Sequence, residues 1–415
     1  MTDAARTPVI VSAARTPIGR FLGGLSPLTA PELGGVAIRA ALDRSGIDPN
    51  EIDDVVLGNV VSAGLGQAPA RQAAIAGGVP ESVGAMAVSR VCGSGLMAVM
   101  LAAQAIRAGD ARVMVAGGME SMSNAPYYLR GYRQGVKVGN QEVVDGLIHD
   151  GLWCAFGHCH MGGHAEYTAW KAEISREEAD RFSLESHQKA IAAIDAGKFK
   201  DEIAPVEIKG RKGTTVVDTD EPPRRDTSME ALAKLRPAFT GDMPEQVTEP
   251  VVTAGNAPGL NDGAAALVVV SQEYADAHGL EVLARINAYA TGAVAPQELF
   301  FAPVRAVRRV MEKEGTSIDD YDLIEANEAF AVQALADGKE LGWDGALADG
   351  MWLGWNWDRV HVHGGAVALG HPIGASGARV LTTLLYAMKD RNANRGLATL
   401  CLGGGDAVAL SVERV

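Results

Sequence analysis

Cys92 is the residue whose surroundings most favour chemistry. It opens the glycine-rich turn 92–95, and the apolar run 96–106 that follows predicts a helix buried on all sides and ended by Gly109. A thiol at such a helix N-terminus meets unpaired backbone N–H groups and the positive end of the helix dipole, which predicts a lowered pKa and a nucleophilic thiolate. The glycines leave room for a ligand beside the sulfur. The alternative, a buried and inert cysteine, explains the turn less well.

Three further motifs carry residues that could act with a cysteine nucleophile. They are EANEAFA at 325–331, GGAVALGHPIG at 364–374 and LCLGGG at 400–405. Each follows a predicted strand, and parallel sheets bind their ligands at that edge. His371, held between glycine and proline, suits a base, whereas Asn327 and backbone N–H groups suit the stabilisation of an oxyanion. With Cys401 as a second thiol, these residue types indicate acyl transfer through a thioester.

Strands and helices alternate along the chain that must position these residues. The predicted strands are 9–13, 113–116, 284–288 and 398–402, and residues 52–59 are predicted to be a turn leading into a further strand. The predicted helices are 29–46, 68–76, 96–106, 303–314 and 375–388. This alternation is typical of an α/β fold with a mainly parallel, helix-covered sheet.

The order of elements in the first part returns in the last third of the chain. Ile318-Asp319-Asp320 echoes Ile52-Asp53-Asp54, and glycines precede both buried helices. The repetition indicates an internal duplication.

The last strands of the two halves show where the copies differ. Residues 405–412 directly follow the glycines of their half, whereas the counterpart 262–270 lies far downstream of Gly117 and Gly118. Residues 122–259 are therefore predicted to be an inserted loop domain. The flanking units are an N-terminal half (1–121 plus 260–282) and a C-terminal half (283–415).

Both insertions have recognisable segments. A capping box, Ser175 with Glu178, predicts a polar helix over 175–196, and the charged, proline-broken stretch 201–227 predicts a surface loop. A second insertion, between Ile324 and His361, holds four tryptophans: Trp343, Trp352, Trp355 and Trp357. Packing against the domain's own surface or a neighbouring subunit is favoured over stacking on an adenine ring.

Composition limits the partners. The 415 residues are 47% hydrophobic and carry a formal net charge of -14, which argues against nucleic acid and against an anionic membrane surface. The first residues lack the apolar core of a signal peptide and no run of apolar residues reaches the length of a membrane span, so a cytoplasmic protein is expected. Four cysteines are too few for a disulfide framework, and the segment 154–164 matches no standard zinc spacing, so no metal site is predicted.

With these motifs in place, the sequence resembles the thiolase family over nearly the whole chain. The matching segments are VIVSAARTPIGRFLG at 9–23, CGSGLMAV at 92–99, GGMESMSNAPY at 117–127, LAKLRPAF at 232–239, TAGNAPGLNDGAAA at 253–266, EANEAFA at 325–331, GHPIGASGAR at 370–379 and CLGGG at 401–405. The resemblance implies a duplicated five-layered αβαβα subunit with a loop domain over the site. It also implies coenzyme A thioesters as substrates without a bound cofactor, and a homotetramer joined through the loop 123–144.

The resemblance also implies roles for the reactive residues. Cys92 would be acylated, His371 would deprotonate it, and Cys401 would exchange protons with the substrate α-carbon and the leaving thiol. Asn327 would hold a water that forms one oxyanion hole with His371, and the amides of Cys92 and Gly403 would form the other. The implied reaction is the reversible condensation of two acetyl-CoA to acetoacetyl-CoA and CoA.

A further set of positions would surround the coenzyme A part of the substrate. They are Leu152, His160, Met161, Arg224, Phe239, Ala254, Ala257, Ala329 and Phe330. Arg224 would supply the local positive charge that an acidic chain needs for an anionic ligand. The chain departs from the family where Pro258 and Ala231 replace serines near the coenzyme and where Leu299 to Ala302 replace a glycine-rich run beside the acyl pocket.

Three other functions use similar residues. A 3-ketoacyl-CoA thiolase of β-oxidation would act on longer chains, and a decarboxylating ketoacyl synthase would normally lack the second cysteine, Cys401. A Cys-His-Asn thioester hydrolase would release a free acid.

Overall fold

The computed structural model describes residues 4–211, 213–343, 347–348, 351–352 and 359–415. The strands are β1 Pro8–Arg15, β2 Gly19–Arg20, β3 Asp54–Gly58, β4 Gly84–Val88, β5 Val113–Ser121, β6 Tyr127–Tyr128, β7 Val144–Asp145, β8 Trp153–Cys154, β9 Cys159–His160, β10 Val206–Gly210, β11 Gly213–Val217, β12 Asn261–Ser271, β13 Ala284–Ala293, β14 Leu323–Ala326, β15 Leu347–Ala348, β16 Met351–Trp352, β17 Arg395–Leu402 and β18 Asp406–Glu413. The helices are α1 Ala30–Ser45, α2 Pro69–Ala76, α3 Ser94–Ala108, α4 Met161–Lys171, α5 Arg176–Asp195, α6 Met229–Ala233, α7 Gln272–His278, α8 Ala302–Glu314, α9 Ala331–Leu341, α10 Ala366–Leu369 and α11 Ser376–Arg391.

Helix ends lie where the sequence places its stop and start signals. Thr29 caps α1, and Gly46 ends it with φ +67°, a left-handed conformation that glycine adopts without strain. The predicted capping box opens α5, since Ser175 Oγ accepts the N–H of Glu178 at 3.2 Å. The predictions for these two helices are confirmed.

The sheet is built twice on one plan. In the first half the strand order is β1-β12-β5-β3-β4, and in the second it is β13-β18-β17-β14. In each half a central strand, β12 or β18, is antiparallel to both neighbours, and the next pair, β5 with β3 or β17 with β14, is parallel. A short antiparallel contact between β1 and β13 joins the halves. The predicted duplication is therefore visible in strand order and direction.

The expectation of a mainly parallel sheet is wrong. Parallel pairs join β3 with β4, β3 with β5 and β14 with β17, whereas every pairing of β12, β13 and β18 in the sheet is antiparallel. In the first half, β5 and β12 are antiparallel although the inserted segment separates them in the chain. In the second half, the chain runs from β17 through a glycine turn directly into β18, and no crossover helix intervenes. Adjacent strands joined in this way must be antiparallel.

Helices and strands stack in five layers. α1 packs on β1, β5 and β12 from outside, α3 and α11 pack on each other between the two half-sheets, and α8 covers β13 and β18 from the other side. By length and composition, 91–108 could cross a membrane, contrary to expectation. In the fold, this segment contains the central helix, whose Leu96, Val99 and Ile106 are fully buried.

The stretch 201–227 is more ordered than predicted. β10 and β11 form a hairpin within it. Glu202 and Asp220 are buried and bind the buried guanidinium of Arg15 at 2.5 and 2.7 Å. These two charges pair with an arginine far away in sequence, which offsets the cost of burying them, whereas most other charged residues of the stretch are exposed as predicted.

Of the tryptophans in the second insertion, Trp343 is 2% exposed and packs in the main core. The side chain of Trp352, and Trp355 and Trp357, lie outside the described residues.

Candidate active site

The first turns of α3 and α11 lie against each other, which brings their preceding loops together. Both helices begin with Ser-Gly, at Ser94-Gly95 and Ser376-Gly377. A Cβ on Gly95 would lie 2.7 Å from the backbone N of Ala378, and one on Gly377 would collide with the backbone N of Leu96. Only glycine permits this approach.

The loop before α3 holds Cys92 in a constrained turn. Val91 has φ +47°, an unfavourable conformation for a β-branched residue, and such strain is found at functional sites. Ser94 Oγ accepts the N–H of Arg90 at 2.8 Å and donates to the carbonyl of Val91 at 2.6 Å. The Arg90 guanidinium binds Asp406 at 2.6 Å, which ties this loop to the start of β18.

The predicted lowering of the Cys92 pKa is wrong in direction. Burial raises the pKa of the Cys92 thiol to about 12, and hydrogen bonds from the amides of Cys92 and Gly403 lower it by less. Cys92 also stands two residues before α3, whose N-cap is Gly93. In the free protein the sulfur is therefore a thiol, and it needs a base to become a nucleophile.

His371 supplies such a base. Its Nδ1 lies 2.6 Å from Ser376 Oγ, and that hydroxyl donates to the carbonyl of Pro372 at 2.9 Å. The hydroxyl proton is thus used, so Nδ1 carries the ring proton and Nε2 has the free electron pair. Nε2 has no hydrogen-bond partner among the described residues. Burial, with a smaller contribution from Arg379, lowers the pKa of His371 to about 3, so the ring is neutral at pH 7.

Asn327 lies behind this ring. The residue follows β14, and its side-chain amide Nδ2 is 3.5 Å from His371 Nδ1. Its Oδ1 is buried and has no partner in the part of the chain that the structure describes. Asn327 is 2% exposed, so this oxygen can accept a hydrogen bond only inside the protein.

Cys401 is the penultimate residue of β17 and is 1% exposed. Burial raises the pKa of its thiol well above the ordinary value, and the neighbouring Cys92 raises it further. Both sulfurs are therefore protonated at rest and lie close enough to influence each other.

One cavity of about 360 Å³ collects nearly all of the predicted site residues. They are Cys92, Leu152, His160, Met161, Arg224, Phe239, Ala254, Ala257, Ala329, Phe330, His371, Cys401 and Gly403. Asn327 is absent from this lining and reaches the site through its contact with His371.

Aromatic rings form one wall of the cavity. The rings of His160 and Phe239 stack 4.7 Å apart, and His160 also caps α4 by accepting the N–H of Gly162. Phe330 meets Phe239 and Phe300 edge to face, with centroids 6.2 and 5.3 Å apart. These contacts narrow the space around the sulfurs and hold the wall in place.

A second cavity, of about 230 Å³, adjoins the first. Arg224, Ala254 and Ala257 line both, and Arg20 and His187 line the second only. Arg20 and Arg224 give this cavity the local positive charge that an anionic ligand needs in an otherwise acidic protein.

Sequence reasoning missed some residues that shape the site. Ser376 orients His371, and Ile373 and Met122 line the cavity beside it. The repeated Ser-Gly at the start of both central helices was the one available signal for Ser376.

Fold and site together define an enzyme that transfers acyl groups between thiols, and the comparisons agree. Residues 8–273 match the family model described as "Thiolase, N-terminal domain", and residues 280–414 match "Thiolase, C-terminal domain". The chain belongs to the thiolase family.

Individual relatives are similar over their full length. The chain is 54% identical to the acetyl-CoA acetyltransferase of Pseudomonas aeruginosa, over 98% of this chain and 99% of the relative. It is 52% identical to that of Paracoccus denitrificans over the same shares. The crystal structure of the Bacillus anthracis acetyl-CoA acetyltransferase matches with a TM-score of 0.93 at 41% identity, covering 100% of both chains.

Proposed function

We propose that this thiolase is an acetyl-CoA C-acetyltransferase, which condenses two acetyl-CoA to acetoacetyl-CoA and CoA and catalyses the reverse thiolysis. The observation that carries the proposal is the presence of Cys92, His371 and Cys401 in the wall of one cavity. Relatives with this name at 50–54% identity support the choice of substrate.

Acylation begins with proton transfer from Cys92 to His371 Nε2. The sulfur attacks the acetyl carbonyl, and the amides of Cys92 and Gly403, which already point at the sulfur, donate to the developing oxyanion. CoA leaves with the proton of Cys401. Because Cys92 has a high pKa, the proton transfer and the attack must be coupled.

Condensation uses the Cys401 thiolate left by the first step. It takes an α-proton from the second acetyl-CoA, and a water held by Asn327 Oδ1 together with His371 stabilises the enolate oxygen. The α-carbon attacks the acyl-enzyme carbonyl, and Cys92 leaves and recovers its proton from His371. All protons are thereby returned.

The wall residues support a short acyl group. Leu299 and Phe300 are 1% and 2% exposed and line the cavity where a glycine-rich run would leave space. We assign the adjoining cavity, with Arg20 and Arg224, to the anionic nucleotide part of coenzyme A.

Thiolysis rates test this assignment. CoA-dependent cleavage of acetoacetyl-CoA should exceed that of longer 3-ketoacyl-CoA esters in kcat/KM, and Phe300→Gly should narrow the ratio. Equal or faster cleavage of the longer esters would instead favour the β-oxidation thiolase.

A mass spectrum after mixing with acetyl-CoA should place one acetyl group on Cys92, and Cys92→Ala should carry none. Release of free acetate as the main product would indicate the hydrolase.

The homotetramer, the absence of a bound cofactor and the cytoplasmic location stay predictions. The proposed assembly loop exposes Tyr127, Leu129 and Val138, which suits burial against another subunit.

A further inference from the structure

Two cysteines outside the catalytic set face each other across a short hairpin at the rim of the cavity. β8 and β9 are antiparallel, with Trp153 opposite His160 and Cys154 opposite Cys159. The turn between them, 155–158, is exposed. Both cysteines are free thiols.

Their position in the ladder fits a disulfide. Directly opposite residues of an antiparallel pair have Cα atoms about 4.5 or 5.5 Å apart, with side chains on the same face. Disulfides bridge Cα separations of about 4.4–6.8 Å. The bond can therefore form without separating or sliding the two strands.

The two thiols have different surroundings. Cys159 is half-buried, and its Sγ lies 3.6 Å from Nε2 of His164. Burial raises the pKa of Cys159 to about 11 and lowers that of His164, so a neutral imidazole is available to take the thiol proton. Cys154 is 2% exposed, and its sulfur accepts the N–H of Gly157 at 3.2 Å, a contact that stabilises a thiolate. Cys159 is thus the accessible nucleophile and Cys154 the sheltered partner.

We propose that Cys154 and Cys159 form a redox-active pair that a small-molecule disulfide converts to an intramolecular disulfide. Cys159 gives its proton to His164 and attacks the reagent, which releases one thiolate and leaves a mixed disulfide. Cys154 then attacks the Cys159 sulfur and releases the second thiolate. The two protein protons end on the released thiolates, so two protein thiols are oxidised and one reagent disulfide is reduced to two thiols.

The disulfide would constrain residues that line the cavity, although neither Cys154 nor Cys159 takes part in the acyl-transfer chemistry. The hairpin carries Leu152 at one end and His160 at the other, and both line the cavity. The turn residue Phe156 packs near Gly404, since a Cβ added to Gly404 would lie 3.4 Å from the Phe156 ring. Gly404 directly follows Gly403, whose amide faces the sulfur of Cys92. A cross-link would fix the spacing of these contacts. The proposal does not depend on the proposed function.

Peptide mapping after treatment with oxidised glutathione tests it. Trypsin releases both cysteines in one peptide, 138–171, which contains neither Cys92 nor Cys401. In the oxidised wild-type protein this peptide should be two hydrogens lighter than the dithiol and should resist alkylation after denaturation. Chymotryptic cleavage after Phe156, which is 69% exposed, should give pieces that separate only on reduction.

Matched single variants separate the two roles. Cys154→Ser should hold one glutathione on Cys159, and Cys159→Ser should keep Cys154 as an unmodified thiol. The proposal is overturned if the wild-type peptide takes two alkyl groups under conditions that fully oxidise a reference dithiol protein. It is equally overturned if Cys159 is found joined to Cys92.

Discussion

Glu120 and Cys401 occupy equivalent positions in the two halves, yet their surroundings are opposite. β12 and β18 each carry an aspartate near their start, Asp262 and Asp406. The residue after Asp262 pairs with Glu120, and the residue after Asp406 pairs with Cys401. The Glu120 carboxylate accepts backbone N–H bonds from Val60, Val61 and Gly374 at 3.0, 3.2 and 2.9 Å. Cys401 instead lines the cavity. One copy of the fold thus holds loops in place where the other presents a reactive group.

The central helices repeat this division. Ser94 Oγ makes its hydrogen bonds within the Cys92 loop, to Arg90 and Val91, whereas Ser376 Oγ binds the ring of His371. The two serines occupy equivalent positions but have different roles. Ser94 holds the backbone of the loop that carries the nucleophile, whereas Ser376 contacts the side chain of the base, His371. Duplication provides two similar loops beside each other, and few substitutions are needed to give them complementary roles.

Replacing Cys401 tests this comparison with the largest expected effect. Cys401→Ala should still be acetylated on Cys92, since His371 and the amides of Cys92 and Gly403 remain. Condensation should fall by about 10²-fold or more, the typical loss for a general acid or base. Mass spectrometry measures the first step, and the rate of acetoacetyl-CoA formation measures the second.

Exchange of the acetyl-CoA methyl protons with deuterium isolates the contribution of Cys401. The exchange should disappear in Cys401→Ala and persist at a reduced rate in Cys401→Ser. If Cys401→Ala exchanged at the wild-type rate, His371 or a water would be the α-carbon base, and the two halves would not divide the chemistry as described.

Sequence alone predicted the features that depend on local signals. Gly46 and Gly109 end helices because glycine adopts a left-handed φ without strain. The motifs around Cys92, His371 and Cys401 indicated loops that the structure brings to one cavity. The convergence followed from the duplication, which was visible as a repeated order of elements.

Features that depend on burial were not predictable in this way. The direction of the Cys92 pKa shift depends on how much solvent the surrounding loops exclude, and no local pattern encodes that balance. Arg15 pairs with Glu202 and Asp220, which lie about two hundred residues away along the chain. The φ of Val91 is likewise imposed by the fold around it.

Removing one serine hydroxyl should have an intermediate effect. Ser376→Ala frees Nδ1 of His371, so the ring can adopt the tautomer whose Nε2 is protonated and cannot act as a base. A lost hydrogen bond of about 1 to 1.5 kcal/mol corresponds to roughly a tenfold lower rate of Cys92 acetylation. Single-turnover mixing with acetyl-CoA measures this rate.

Ser94→Ala is the matched control. It removes two hydrogen bonds within the Cys92 loop and none to His371, so we expect a lower midpoint of thermal unfolding. Ser376→Thr, which keeps the hydroxyl, should recover much of the acetylation rate. Equal losses of rate in Ser376→Ala and Ser376→Thr would show that packing, and not the hydrogen bond to the ring, explains the effect.

The smallest expected effect is on the pH dependence of stability, where the two halves should act in opposite directions. Burial raises the pKa of Glu120 from 4.5 to about 7 and lowers that of His371 from 6.5 to about 3. Between about pH 4.5 and pH 7 the unfolded chain has lost the Glu120 proton that the native state retains, so this group makes stability fall as pH rises. Below pH 6.5 the unfolded chain binds a proton at His371 that the native state does not, so this group makes stability fall as pH decreases.

The two contributions partly cancel in the wild-type protein. Relative to wild type, denaturant midpoints across this range should therefore rise more steeply with pH in Glu120→Gln and less steeply in His371→Asn. Parallel curves for the three proteins would mean that neither group is perturbed as the structure indicates.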